Sequence, residues 1–90
     1  REHAEDRRAA REQDKMAIYL DPAFAMPHLH LGLVSKRSGD VETARRELEQ
    51  ASVLLEREDA SRILLFGGGF SREVLVELCQ RELRAVGGAL

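Results

Sequence analysis

A glycine triplet at residues 67–69 is the first feature of this sequence whose residue types could carry chemistry. Ser71 and Arg72 follow it, and a helix that begins there would direct backbone N–H groups and a guanidinium at an anion such as phosphate. The triplet lacks the spacing of a dinucleotide-binding loop, and no Gly-Lys-Ser or Gly-Lys-Thr sequence comes after it. A tight turn that folds the preceding apolar run back onto the last helix is the favoured interpretation, with a small anionic ligand as the alternative.

Histidine, cysteine and acidic side chains are the other candidates for chemistry. His28 and His30 are two residues apart, so on a helix they point about 200° away from each other and cannot easily share a metal ion. Cys79 lies on an apolar stripe with no histidine close in sequence, which favours a buried small side chain over a nucleophile. Nothing in the charged segments marks a pocket that would suit an Asp or Glu to acid-base catalysis. The sequence therefore predicts no catalytic residue and no metal site.

Composition and charge disfavour several classes of function. The 90 residues include 14 Lys and Arg against 16 Asp and Glu, which gives a net charge of −2. Binding to nucleic acid or to an anionic membrane surface is disfavoured because both need an excess of positive charge. No apolar run approaches the roughly 18 residues of a membrane span, and a single cysteine cannot form an internal disulfide. We expect one small domain over residues 1–90, located in the cytoplasm.

Apolar periodicity predicts an all-α fold with four main helices. Residues 1–9 are a charged linker or the start of the first helix, which ends near Leu20 because an Asp-Pro pair follows. The second helix begins in the region bracketed by Pro22 and Pro27 and closes at Gly39, a residue type that readily adopts the left-handed conformation.

The second half of the chain contains two more predicted helices. The third begins after a predicted cap at Asp40 and continues with apolar residues at steps of three and four. Residues 58–70 are a connecting loop, in which the apolar run 63–66 is either one helical turn or an extended segment. The last helix covers residues 71–86 behind Ser71 as its N-cap. The second and third helices should form an antiparallel hairpin.

Residues 25–58 fit a helical repeat of about 34 residues. Small residues at Gly32 and Ala44 would let its two helices approach closely, and large residues such as Leu48 would fill the remaining space. The pattern resembles the tetratricopeptide repeat. The positions that carry it, including the end of a preceding repeat, are Pro22, Leu31, Gly32, Ala44, Leu48 and Ala51.

A degenerate repeat precedes this one in the same register, so that residues 10–57 hold one full repeat and part of another. The sequence departs from the family at several positions. His28 stands where tryptophan is usual, Ser35 where tyrosine is usual, and Asp14 where the earlier repeat wants a bulky apolar side chain. We expect His28 to pack in the large-residue position and His30 to lie on or near the opposite face.

The YLDPAF segment and the LLFGGGFSREVLVELC segment carry a closer resemblance. Over roughly residues 17–85 the chain resembles the C-terminal tetratricopeptide extension of chemotaxis-type receptor methyltransferases of the CheR kind. That resemblance implies bacterial-type signal transduction, with a separate upstream domain that transfers a methyl group from S-adenosylmethionine to receptor glutamates. None of that domain lies in these 90 residues, and the first residue, Arg1, suggests a fragment of a longer protein. We therefore expect this chain to be non-catalytic and to bind no cofactor itself.

The resemblance also implies a binding surface, because the first helix of each tetratricopeptide repeat lines a concave groove. An apolar stretch followed by basic residues would suit a short amphipathic or acidic peptide from a chemoreceptor, a regulator or the upstream domain. Packing of Leu29 and Leu33 on neighbouring helices remains equally open. The groove positions given by the register are Met26, Leu29, His30, Leu33, Lys36 and Arg37.

A third function class is structural. One repeat with flanking helices leaves an apolar face without a cap, and stacked repeats generally need several units or a capping element. The chain could therefore serve as an oligomerisation element, which is the alternative to peptide docking.

Overall fold

Residues 4–87, the range that the computed structural model describes, form five α-helices and no strand. The helices are α1 (Ala4–Leu20), α2 (Ala25–Arg37), α3 (Val41–Arg57), α4 (Ala60–Phe66) and α5 (Arg72–Ala85). The predicted all-α fold is confirmed over this range. None of these five helices combines the length and the apolar composition that crossing a bilayer would require.

Helix α1 begins before its apolar stripe, since residues 4–9 of the segment predicted as a linker or a helix start are helical. Residues 1–3 of that segment lie outside the described range. The helix ends at Leu20, where the following Asp-Pro pair disfavours further helix. No residue of α1 is fully buried, and Arg11 ties the helix to the α2–α3 turn through an ion pair with Asp40 at 3.2 Å.

Two helix starts are set by the caps that the sequence predicts. The Asp40 carboxylate accepts a hydrogen bond from the Thr43 N–H at 3.2 Å, and the Ser71 hydroxyl accepts one from the Val74 N–H at 3.2 Å. Hydrogen bonds from the side chain and the backbone of Thr43 hold the pKa of Asp40 below its ordinary value. Gly39 has a φ of 84°, a left-handed conformation that glycine adopts without strain. The predicted positions of both caps are confirmed.

Helices α2 and α3 pack closely against each other around Gly32. A Cβ atom placed on Gly32 would lie 2.8 Å from the Leu48 Cγ, so the two helices approach where the sequence places a small residue. Ala44, Leu48 and Ala51 on α3 have no exposed surface at all. The short turn between the two helices makes them an antiparallel hairpin.

Helix α4 lies inside the segment predicted as a connecting loop, residues 58–70. The Asp59 carboxylate accepts hydrogen bonds from the backbone N–H and the hydroxyl of Ser61, at 2.9 and 2.8 Å, and these bonds start the helix. Ile63 is buried in the core and holds the helix in place. The apolar run 63–66 therefore forms the last turn of a short helix. A helical turn is one of the two conformations that the sequence allowed.

Arg62 anchors α4 to the connection between α1 and α2. Its guanidinium lies 4.2 Å from the centroid of the Phe24 ring and forms an ion pair with Asp21. The hydrogen bond from Arg62 lowers the pKa of Asp21. Phe66 meets the same Phe24 ring edge-on, with 5.2 Å between the centroids. These contacts fix the position of the turn that follows α4.

The glycine triplet forms that turn, as the favoured interpretation expects. A Cβ atom on Gly67 would lie 2.4 Å from the Ile63 carbonyl oxygen, so only glycine fits there. Gly68 and Gly69 have φ values of 67° and 88°. The chain then enters α5, where Leu75 packs beside Gly67.

The hydrophobic core lies where α2, α3 and α5 meet. Ile63 adds the contribution of α4, whereas α1 contributes no residue to this cluster. Helix α2 packs against α1 as well as α3, and its neighbours define the surfaces beside it. The buried members of the cluster are Ala25, Met26, Leu29, Leu48, Ala51, Leu54, Leu55, Ile63, Leu75, Cys79 and Leu83.

Candidate functional site

A groove follows one side of α2 and consists of two adjoining pockets. The first, the apolar pocket, has a volume of about 210 Å³ and is enclosed by α2, the glycine turn and α5. Apart from His30, every side chain in its lining is apolar. Its lining residues are Met26, Leu29, His30, Leu33, Phe66, Gly67, Gly68, Phe70, Leu75 and Leu78.

The second pocket, the polar pocket, has a volume of about 330 Å³ and lies between α1 and α2. His30 and Leu33 line both pockets, so the two pockets adjoin along the exposed side of α2, and together we name them the α2 groove. The lining residues of the polar pocket are Ala10, Gln13, Asp14, His30, Leu33, Val34 and Arg37.

Five of the six residues predicted to line a binding groove do line the α2 groove. Met26 and Leu29 are 5% and 2% exposed, so they form its floor and also belong to the core. Leu33 is half-buried and His30 is exposed, and these two side chains are accessible to a ligand. Leu29 therefore fits both interpretations that the sequence left open, because it packs on neighbouring helices and also lines the apolar pocket.

Lys36 is the predicted groove residue that lines neither pocket. Its ammonium group forms an ion pair with Glu82 of α5, a residue 46 positions away along the chain. The positive charge of Lys36, which was expected at the basic end of the groove, is therefore balanced by the carboxylate of Glu82. The contact could not be foreseen because the register of a single repeat does not show which residues of α5 face α2.

Arg37 lines the polar pocket at the opposite end of the groove from the glycine turn. Its side chain already has an interaction partner. Both cationic residues that the sequence offered to an acidic peptide are therefore engaged within the chain.

Asp14 is the acidic side chain of the polar pocket. Only 16% of its side chain is exposed, and its Oδ1 lies 3.9 Å from the Nδ1 of His30. Burial raises the pKa of Asp14, and the nearby His30 opposes that shift. The sequence contained a signal for this residue, because an acidic side chain stands where the predicted earlier repeat would have a bulky apolar one.

His28 is buried, and both of its ring nitrogens lie within hydrogen-bond distance of a partner. Its Nδ1 lies 2.7 Å from a Glu47 carboxylate oxygen, and its Nε2 lies 2.9 Å from the Pro22 carbonyl oxygen. The side chain is 7% exposed. Its role is to join α3 to the connection before α2, whereas His30 lies on the exposed side.

Two polar side chains at the helix start after the glycine turn, Ser71 and Arg72, are engaged within the chain. The Arg72 guanidinium donates a hydrogen bond to the Leu55 carbonyl near the end of α3. The Ser71 hydroxyl caps α5. The cation that an anionic ligand would need therefore stabilises the packing of α5 on α3 instead.

Cys79 has no exposed surface and lies in the core. Burial raises the pKa of its thiol to about 11, so the group stays protonated near neutral pH and is a poor nucleophile. Within residues 4–87, no three His, Cys, Asp or Glu side chains are grouped closely enough to hold a metal ion.

A pocket of about 410 Å³ lies between the end of α3 and α5, away from the α2 groove. Although it is larger than either pocket of the α2 groove, polar side chains and charged side chains of both signs line it, and Val76 is its one large apolar member. It offers no apolar anchor point, so the α2 groove is the better candidate for binding a peptide.

Comparison of the chain with family models, with curated proteins and with solved structures finds no significant match. The relationship to tetratricopeptide proteins and to chemotaxis-type methyltransferases therefore stays a prediction from the sequence.

Proposed function

We propose that this chain is a non-catalytic protein-interaction module that binds a peptide segment of a partner protein in the α2 groove. The observation that carries the proposal is the apolar pocket, where Phe70 is 58% exposed and Leu33 is half-buried beside it. An apolar recess next to a pocket with polar groups is the usual form of a site that anchors one side chain and orients its neighbours.

The resemblance of residues 17–85 to the tetratricopeptide extension of chemotaxis-type methyltransferases supports a signalling context. In that context the module works in the cytoplasm, and its partner is a chemoreceptor segment or the upstream catalytic domain. S-adenosylmethionine would bind that upstream domain, which the 90 residues do not include.

Substitution of Phe70 tests the groove directly. Displayed random seven-residue peptides selected on the intact chain should share an apolar residue, and Phe70→Ala should lower their affinity at least tenfold because it removes one wall of the apolar pocket. Fluorescence anisotropy with the selected peptides gives the dissociation constants. Since Phe70 is 58% exposed, the variant should keep its fold.

Tyr19→Ala is the matched control, because Tyr19 is an aromatic residue on α1 that is 81% exposed and lies outside both pockets. It should leave the affinities unchanged. Peptides that bind Phe70→Ala as tightly as the unmodified chain would place the binding site elsewhere and overturn the proposal.

Self-association is a second candidate function, favoured by the exposed apolar side chains of α4. Leu64 and Leu65 are 81% and 71% exposed, and surfaces of this kind often mark interfaces. If α4 forms a dimer contact, sedimentation equilibrium should show a dimer that Leu64→Glu converts to a monomer. A monomer at all concentrations would exclude this function and leave peptide binding unaffected.

A further inference from the structure

The charges along the α2 groove are unequally compensated. Lys36 pairs with Glu82, and Arg37 also has a partner within the chain. Asp14, in contrast, is largely buried, and within residues 4–87 its one ion-pair contact is with His30, at 3.9 Å, although Arg37 lines the same pocket. A carboxylate that has lost most of its water gains more from a new donor than an exposed one does. Among these three groups, the carboxylate of Asp14 therefore gains most from an additional hydrogen-bond donor.

The spacing of the two pockets limits how a peptide can reach both. The α2 residues that line the apolar pocket and those that line the polar pocket are offset by about one helical turn, roughly 5–6 Å. An extended peptide advances about 6.6 Å in two residues, and residues i and i+2 point to the same side. Measured along the α2 axis, two side chains separated by one residue therefore match the offset between the two sets of lining residues.

We infer that the α2 groove recognises an extended segment with an apolar side chain followed, in either chain direction, by a cationic side chain two residues away. The apolar side chain fills the pocket beside Phe70, and the cation pairs with Asp14. This inference rests on the proposed peptide-binding function and adds the chemistry of the partner. It differs in the sign of the charge from the acidic peptide that was one of the two sequence-based expectations, the other being an amphipathic peptide.

Seven-residue peptides of glycine and serine with blocked ends provide the test. One carries leucine at its third position and arginine at its fifth, a second has the same two residues in reversed order, and two more carry glutamate in place of arginine. Chemical-shift titrations of the full 90-residue chain give their affinities. We expect one arginine peptide to bind at least tenfold more tightly than its glutamate counterpart.

Asp14→Asn should reduce that preference to twofold or less, because it removes the charge and keeps the shape of the side chain. Glu12→Gln is the matched control, since Glu12 lies on the same helix, is 69% exposed and faces Lys15 at 3.8 Å. The control should keep the tenfold preference. An arginine preference that survives in Asp14→Asn would overturn the assignment to Asp14.

The outcomes separate the inference from the proposed function. If arginine and glutamate peptides bind equally and Phe70→Ala weakens both, the groove binds peptides but the inferred charge preference is wrong. If the glutamate peptides bind more tightly, the inference is likewise overturned. If no peptide binds and the peptides selected on the chain are also insensitive to Phe70→Ala, both the inference and the proposed function fail.

Discussion

Leu48→Ala should lower the free energy of unfolding by about 2–5 kcal/mol, the range found when a buried leucine is truncated. Leu48 has no exposed surface and packs directly against Gly32 of α2, so we expect little of the cavity to collapse. A single core in a domain of 90 residues leaves only a small reserve of stability. Urea unfolding followed by circular dichroism, in an osmolyte if needed to keep the variant folded, measures the loss.

Val53→Ala on the same helix is the control, because Val53 is 48% exposed and should lose less than about 1 kcal/mol. Gly32→Ala then tests the contact itself. Alone it should destabilise the chain by about 1–3 kcal/mol, because its Cβ would lie 2.8 Å from Leu48 Cγ. Combined with Leu48→Ala it should cost less than it does alone, because the side-chain contact is gone, the contact with the Leu48 backbone nitrogen at 3.3 Å remains, and alanine has the better helix propensity. The same effect of Gly32→Ala in both backgrounds would contradict the packing described.

The parts of the fold that the sequence predicts well depend on local signals. The end of α1 at Leu20, the turn at Gly39 and the caps at Asp40 and Ser71 each depend on residues within one or two turns. Capping and backbone preferences act over that distance, so the neighbouring residues are sufficient to place these boundaries.

The short helix α4 could not be predicted because four consecutive apolar residues fit a helical turn and an extended strand equally well. Two contacts decide between them in the structure. Asp59 caps the helix, and Ile63 enters a core built by helices far away in the sequence. The first contact is local and recognisable, whereas the second depends on the tertiary fold.

The candidate site shows the same division between local and long-range information. The register correctly places Leu33 and His30 along one side of α2, because residues three and four apart share a helix face. It cannot show that Glu82 compensates Lys36 or that Phe70 forms the opposite wall. The predicted repeat pattern marks Asp14 as a departure from the expected apolar residue, and a residue that breaks a local rule often has a functional reason.

Glu58 has a structural role for which the sequence offered no signal. It lies in a polar stretch that reads as a turn, yet its side chain is only 5% exposed. One carboxylate oxygen accepts a hydrogen bond from the Ala25 N–H at 2.9 Å, and the other lies 3.6 Å from Arg62. Phe24, at the N-cap position of α2, provides no side-chain cap. Glu58 therefore performs from 33 residues away the role that a local cap usually has.

Glu58→Ala should lower the free energy of unfolding by about 1.5–3 kcal/mol, since it leaves the start of α2 without an acceptor and Arg62 without a buried partner. Glu58→Gln should lose less, because its amide oxygen can still accept the bond from Ala25, although the charge that favours a helix N-terminus is gone. Glu56→Ala is the matched control on the exposed surface of α3 and should change stability by no more than about 0.5 kcal/mol. Thermal and urea unfolding compare the three variants. The start of α2 carries the residues that form the floor of the α2 groove. Equal losses for Glu56→Ala and Glu58→Ala would show that the buried carboxylate does not hold this part of α2 in place.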